Sequence, residues 1–165
     1  MGNARQIDAV ELETIDGRRT TFGELAGDGP VLVVNVASRC GFSPQYEALE
    51  QLQRRYAERG FTVLGVPSSQ FKQELDSAEE IQEYCSTTWG VTFPMLNKAW
   101  VNGRYRHPLF AELTKARDSL GISGRVLWNF EKFLVLPDGS VKRFRSPTKP
   151  DDDAITGLIE ASLPR

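Results

Sequence analysis

Two apolar stretches constrain this chain more than anything else in it. Val31-Leu32-Val33-Val34-Asn35-Val36-Ala37 is a nearly unbroken apolar run rich in β-branched residues, and Phe61-Thr62-Val63-Leu64-Gly65-Val66-Pro67 is a second. Runs without polar alternation fit strands buried on both faces, the situation of parallel strands covered by helices. Between them Tyr46, Leu49, Leu52 and Tyr56 recur at helical spacing. Ser43 is placed as N-cap and Pro44 at the first helical position, and Gly60 is placed to end the helix. Strand, helix and strand of these lengths predict a βαβ unit with parallel strands.

The rest of the chain supplies what surrounds that unit. Val10 to Ile15 reads as a strand, Asp16-Gly17 as a turn and Thr20-Thr21-Phe22 as the returning strand. Ser77 with Glu80 three residues on is a capping-box pattern that opens a helix to about Thr88. Phe93-Pro94 reads as a short strand or turn, and Pro108 to Ala116 as another helix. Phe130 to Leu136 and Val141 to Phe144 predict a hairpin around Pro137-Asp138-Gly139. Asp151 to Leu163 predicts a closing helix with three aspartates at its positive end. No repeat or linker divides the 165 residues, so one domain over 1–165 is expected. The expected fold class is α/β: a central mixed β-sheet flanked by helices, with an N-terminal β-hairpin, which is the thioredoxin-like arrangement.

Composition removes several function classes. No stretch approaches the roughly 20 apolar residues of a membrane span, and the first residues, Met1 to Gln6, lack an apolar signal region. A soluble, cytoplasmic protein is the expectation. Net charge is −2 with both signs scattered. The densest basic stretch, Lys142-Arg143-Phe144-Arg145, is short and reads as a solvated strand edge rather than a nucleic-acid footprint. The two cysteines stand far apart, which is no secreted disulfide framework. With one histidine and no CxxC, neither a dedicated zinc site nor a bound cofactor is expected. His107 reads as a surface histidine. Two lone cysteines leave inert core residues or redox chemistry.

Cys40 follows the carboxyl end of the first buried strand and precedes a helix N-terminus. Open α/β sheets hold ligands at the carboxyl ends of their strands, and a helix N-terminus offers unpaired N–H groups that favour a thiolate, the attacking form of cysteine. Arg39 is adjacent. Cys85 falls on the apolar face of the predicted Glu79 to Thr88 helix, four residues after Ile81; a small core residue and a functional thiol both fit it. Gln70 lies past the end of the second buried strand, at the same end of the sheet as Cys40, and Trp128-Asn129 immediately precede the Phe130 strand. An amide and an indole N–H can donate to an anion, but taken singly a surface amide and a core aromatic are the better readings of Gln70 and Trp128.

Taken together, several segments resemble the glutathione peroxidase family. They are Asn35-Val36-Ala37-Ser38-Arg39-Cys40-Gly41-Phe42, Val66-Pro67-Ser68-Ser69-Gln70-Phe71, Gly90-Val91-Thr92-Phe93-Pro94, Val101-Asn102-Gly103 and Trp128-Asn129-Phe130-Glu131-Lys132-Phe133-Leu134-Val135. They occur in the family's order and spacing from about Leu12 to Leu163. The resemblance implies a catalytic tetrad with Cys40 as peroxidatic residue, making this a cysteine form rather than a selenocysteine form, and with Gln70, Trp128 and Asn129 as donors around the sulfur. It implies that Cys85 is the resolving cysteine. Cys40 then becomes a sulfenic acid on attacking a hydroperoxide, condenses with Cys85 to a disulfide, and is regenerated by thioredoxin. Because Cys85 sits on a helix face, unwinding of the Glu79 to Thr88 helix is expected on oxidation.

The chain also departs from the family pattern. Where the family usually has Cys-Asn-Gln-Phe-Gly, this chain has Ser68-Ser69-Gln70-Phe71-Lys72, and one residue is missing before Ile81, so an altered loop around Gln70 is expected. The short segment between Leu113 and Trp128 lacks the insertion of tetrameric members, which implies a monomer with a site open to lipid hydroperoxides. Direct use of glutathione, or a peroxide sensor or relay using the same thiol, is the alternative function; a merely structural thioredoxin-like protein would not need the tetrad.

Overall fold

In the computed structural model, which describes residues 5–165, the valine-rich run is the central strand of the molecule. The elements in order are β1 (Glu11–Glu13), β2 (Arg19–Thr21), α1 (Phe22–Ala26), β3 (Val31–Val36), α2 (Gln45–Tyr56), β4 (Thr62–Pro67), α3 (Ala78–Tyr84), α4 (Pro108–Leu113), β5 (Lys132–Val135), β6 (Val141–Phe144) and α5 (Asp153–Ser162). The main sheet has the order β4-β3-β5-β6. β3 and β4 run parallel, from Val31 opposite Thr62 to Val36 opposite Pro67, as their separation by α2 requires. β5 is antiparallel to both β3 and β6, so the sheet is mixed. β1 and β2 form the separate N-terminal hairpin.

Every residue of β3 is buried because helices cover both faces of the sheet. Leu32, Val34, Val36, Val63 and Leu134 join Tyr46, Leu49 and Leu52 of α2 and Ile155 and Ile159 of α5. Val31, Val33, Leu64, Val66, Phe133 and Val135 join Phe22 of α1 and Leu109, Phe110 and Leu113 of α4. Each fully buried side chain of this kind stabilises the fold by roughly 1.5–3 kcal/mol.

Several expectations are corrected by local hydrogen bonding. Phe22 opens a short helix instead of ending a strand, because the Thr21 hydroxyl accepts from Glu24 N at 3.2 Å. Ser43 does not cap α2: its hydroxyl donates to the carbonyls of Ala37 (2.8 Å) and Ser38 (3.0 Å), so Pro44 takes the cap position. The Ser77 hydroxyl does accept from Glu80 N at 3.1 Å. The helix it opens, however, changes winding at Cys85 and continues as a π-type turn, Cys85–Trp89, ended by Gly90 at φ 62°. α4 stops at Leu113, where Thr114 caps it. His107 is half-buried rather than superficial; its Nδ1 accepts from Leu109 N at 3.0 Å to cap α4, and burial lowers its pKa.

The basic stretch is not a solvated edge either. Arg143 is buried, with Nε donating to Glu131 Oε2 at 2.5 Å and further N–H groups reaching the carbonyls of Ala116 (3.1 Å) and Arg125 (3.0 Å). Arg145 pairs with Asp118 (3.0 Å) and Glu131 (2.8 Å). These two side chains fasten the segment 114–131 to β6. No helix among the described residues is long and apolar enough to cross a membrane.

Candidate active site

β3 delivers the chain into a tight turn, Ser38 to Pro44, in which Cys40 is 6% exposed. Ser43 N donates to Cys40 O (3.0 Å), Gln45 N to Phe42 O (2.8 Å) and Tyr46 N to Ser43 O (2.9 Å), so i→i+3 turns lead straight into α2. Phe42 N finds no carbonyl in this pattern and donates to Cys40 Sγ at 3.4 Å. The N-terminal approach of α2 thus presents a backbone donor to the sulfur. A cavity of 480 Å³ opens beside this turn, bordered by Gly41, Phe42 and Gln45 and closed by the loop at Pro147 to Asp151. Lys132 Nζ and Gln45 Nε2 both donate to Ser146 O at 2.9 Å and seat that loop; burial lowers Lys132 to a pKa of about 7.

Gln70, Trp128 and Asn129 reach the same end of the sheet through side-chain clips. Asn35, the one polar residue inside β3, donates to Trp128 O at 3.0 Å, accepts from Glu131 N at 3.1 Å, and offers its carbonyl to Phe130 N at 2.6 Å. This holds Phe130 at φ 62°, a left-handed conformation costly for a bulky residue. Asn102 fastens Val126 through both its amide atoms, at 2.6 and 2.7 Å. Gln70 Oε1 accepts from Val101 N (3.3 Å) and Asn102 N (3.2 Å), and the Phe71 ring lies 5.1 Å from that of Trp128. Lys72, where the family has glycine, adopts φ 59°, so the turn keeps the backbone a glycine would give it.

None of the three predicted donors makes a hydrogen bond to Cys40 Sγ. Asn129 Nδ2 donates instead to Gln73 Oε1 at 3.1 Å, while Asn129 Oδ1 is buried without a partner. Gln73 O in turn accepts from Arg39 N at 2.8 Å, tying that loop to the Cys40 turn. Gln70 Nε2 and Trp128 Nε1 donate to no protein group among the described residues, and Trp128 is 37% exposed. Their donor atoms are free for an incoming oxygen, and donors in resting sites commonly tighten only when substrate arrives.

Reading the sequence missed Asn35, Tyr46, Gln73 and Glu74. Glu74 is buried; its Oε1 accepts from Ser38 N (3.0 Å), Ser38 Oγ (2.5 Å) and Leu75 N (2.8 Å). Its Oε2 is buried without a partner, and burial raises its pKa above the ordinary carboxylate value. Tyr46 packs on Tyr84, Trp89 and Phe130 at ring distances of 6.3, 6.4 and 5.3 Å. Asn35 had a signal, a polar residue inside an apolar strand; Tyr46 looked like any helical core position.

Cys85 is 2% exposed, a free thiol at the first residue of the π-type turn. Burial pushes its pKa up to about 11; the neighbouring Tyr46 hydroxyl pulls it down, and the charge of Glu74 adds to the rise. Behind it lies a cavity of 230 Å³, bordered by Gln82, Ser86, Val91 and Phe93.

A mixed sheet with a cysteine turn at the carboxyl end of its central strand, and polar loops gathered at that end, defines a thioredoxin-like thiol-redox protein. The similarity of MTB dsbF, which covers 98% of this chain with a TM-score of 0.64 at 18% identity, supports that fold. The glutathione peroxidase family model matches residues 7–114, and the chain belongs to that family. It is similar to the Escherichia coli thioredoxin/glutathione peroxidase BtuE, with 45% identity over 92% of this chain and 94% of that one. The hydroperoxy fatty acid reductase gpx1 of Synechocystis is 45% identical over 90% of this chain and 91% of its own. The solved structure of T. cruzi GPX1 has a TM-score of 0.70 at 28% identity and covers 91% of this chain and 94% of that one. The chain is therefore a thiol peroxidase, an oxidoreductase that reduces hydroperoxides.

Proposed function

We propose that Cys40 is the peroxidatic residue and Cys85 the resolving one, in a cycle that reduces hydrogen peroxide and organic or lipid hydroperoxides at the expense of thioredoxin. Cys40 Sγ attacks the peroxide oxygen, releases water or alcohol and becomes a sulfenic acid. Gln70, Trp128 and Asn129 turn their donors toward the oxygen that gains charge. Cys85 then attacks Cys40, water leaves, and the Cys40–Cys85 disulfide is reopened by a partner dithiol. The observation that carries this reading is the Phe42 N–H aimed at Cys40 Sγ, a donor placed to favour a sulfur anion at the strand end.

The change of winding at Cys85 supports the second half of the cycle. π-type turns are rare and recur at functional sites, and this one ends a helix of only seven residues. Cys85 reaches Cys40 by unwinding it. A working monomer in the cytoplasm, as a single domain over 1–165, completes the reading; the short 113–128 segment supports the monomer.

Turnover of hydrogen peroxide and of a fatty-acid hydroperoxide with thioredoxin or glutathione tests the cycle. Cys40→Ser is expected to be inactive with either reductant. Cys85→Ser is expected to consume one equivalent of peroxide and stop with thioredoxin. Full thioredoxin-driven turnover in Cys85→Ser would end the resolving role, and glutathione-driven turnover matching the wild type would favour direct use of glutathione.

A further inference from the structure

Disulfide formation poses a proton problem that the two cysteines do not solve. Cys85 is a buried thiol, and a thiol must lose its proton to attack. Neither Gln70, Trp128 nor Asn129 is a base. One buried carboxyl stands in this region with an oxygen to spare: Glu74. Its Oε1 is saturated by Ser38 N, Ser38 Oγ and Leu75 N, while Oε2 has no partner. A buried polar atom without a partner is costly and calls for a reason. The Tyr46 hydroxyl, also buried without a hydrogen bond, belongs to the same cluster as both cysteines.

We infer that Glu74 is the general base of the resolving step, taking the proton of Cys85 and returning it to the oxygen that leaves Cys40. The inference rests on the two-cysteine reading above. Glu74 Oε2 accepts the thiol proton; the Cys85 sulfur pair attacks Cys40 Sγ; the S–O bond of the sulfenic acid breaks with its electron pair on oxygen. The proton on Glu74 passes to that hydroxide, and water departs. Cys85 is oxidised, Cys40 is reduced from sulfenic acid to disulfide, and Glu74 ends as it began. No outside acid or base is consumed.

The position of Glu74 suits this work because it is fixed to the Cys40 side of the reaction. Both bonds to Ser38 lie two residues from Cys40. When the turn at Cys85 unwinds, the carboxylate stays by the sulfenic acid and meets the incoming thiol there. Its hydrogen-bond partners are the Ser38 hydroxyl and N–H and the Leu75 N–H; Tyr46 of α2 and Cys85 of the π-type turn lie within reach of its charge, as does Lys98, whose own charge opposes the effect of burial. Burial raises the Glu74 pKa above the ordinary carboxylate value, which makes its carboxylate a stronger base than an exposed one.

The test separates peroxide reduction from disulfide formation in single turnover. Protein is mixed with one equivalent of hydrogen peroxide and acid-quenched, and sulfenic acid and disulfide are counted by mass. Glu74→Gln keeps an oxygen for Ser38 and Leu75 but is no base. Once the sulfenic acid has formed, at whatever rate, the variant is expected to convert it to the disulfide about 10²-fold more slowly than the wild type at neutral pH. Its disulfide rate should climb about tenfold per pH unit, closing on the wild type in alkali, whereas the wild-type rate should be flat around neutrality. Disulfide formation in Glu74→Gln at the wild-type rate overturns the inference, as does a slowing equal at every pH, which marks a positioning role only. If Glu74→Gln fails to fold, a wild-type rate that itself climbs tenfold per unit through neutrality overturns it alone. Absence of any Cys40–Cys85 disulfide in the wild type would instead overturn the two-cysteine reading.

Discussion

Cys40 and Cys85 carry the same side chain, lie in the same apolar cluster and are nearly equally buried, yet their backbones treat them oppositely. Cys40 stands before a helix start and receives the Phe42 N–H. Cys85 stands past the end of α3, receives no backbone donor, and shares its surroundings with a carboxylate. Burial alone therefore does not decide what a cysteine does. The end of the helix it occupies, and the groups aimed at its sulfur, do. In the proposed cycle the braced turn around Cys40 stays and the π-type turn around Cys85 opens.

The largest effects should fall on the Cys40 side alone. Asn129→Ala is expected to slow peroxide reduction by about 10²–10³-fold, the usual loss for one donor to a developing anion. Stopped-flow peroxide consumption checks it, and a rate within twofold of wild type would remove Asn129 from the site. Asn35→Ala should lower stability by about 2–3 kcal/mol, because it leaves backbone groups around Trp128 and Glu131 unpaired. The same substitution should slow peroxide reduction through misplacement of Trp128 and Asn129. Denaturant melts paired with kinetics read both, and normal kinetics at reduced stability would separate the clip from the chemistry.

The Cys85 side should show itself in alkali. Its folded pKa of about 11 exceeds the ordinary thiol value of 9.0, so the unfolded chain loses the proton first. The stabilising contribution of the neutral buried thiol is whole below pH 9 and fades as pH rises to 11. Relative to Cys85→Ala, the wild type should lose on the order of 2 kcal/mol across that interval. Parallel melting curves for the two proteins would blur the contrast between the cysteines. The smallest effect belongs to the loop bearing Gln70: Lys72→Gly should raise stability by about 0.5–1 kcal/mol by relieving a left-handed lysine. A loss of stability would mean the lysine side chain contributes more than its backbone costs.

The layers of this fold were legible because valine-rich runs, helical periodicity and turn residues report burial directly. β3, β4, α2, the β5–β6 hairpin and α5 all lie where Val31, Val63, Leu49, Pro137 and Asp152 indicate. Local competition was not legible. Ser43 has a good cap sequence but found better acceptors at Ala37 and Ser38, and Arg143 and Arg145 look like a solvent edge until Glu131 and Asp118 arrive from elsewhere in the chain. The site divides in the same way. Cys40, Gln70, Trp128 and Asn129 stand in motifs that can be matched, whereas the buried Glu74 follows no periodicity and its neighbours come from four separate segments.

Trp89 gives the opening of that helix an optical signature. It is half-buried, stacked on Tyr46 at 6.4 Å, and its indole N–H donates to Tyr84 Oη at 3.1 Å. The other two tryptophans, Trp100 and Trp128, are more exposed to solvent and belong to other loops. If the proposed cycle holds, a chain keeping only Trp89 would emit at shorter wavelength while reduced and shift to the red as oxidation pulls the indole into water, a fluorescent gauge of the two half-cycles.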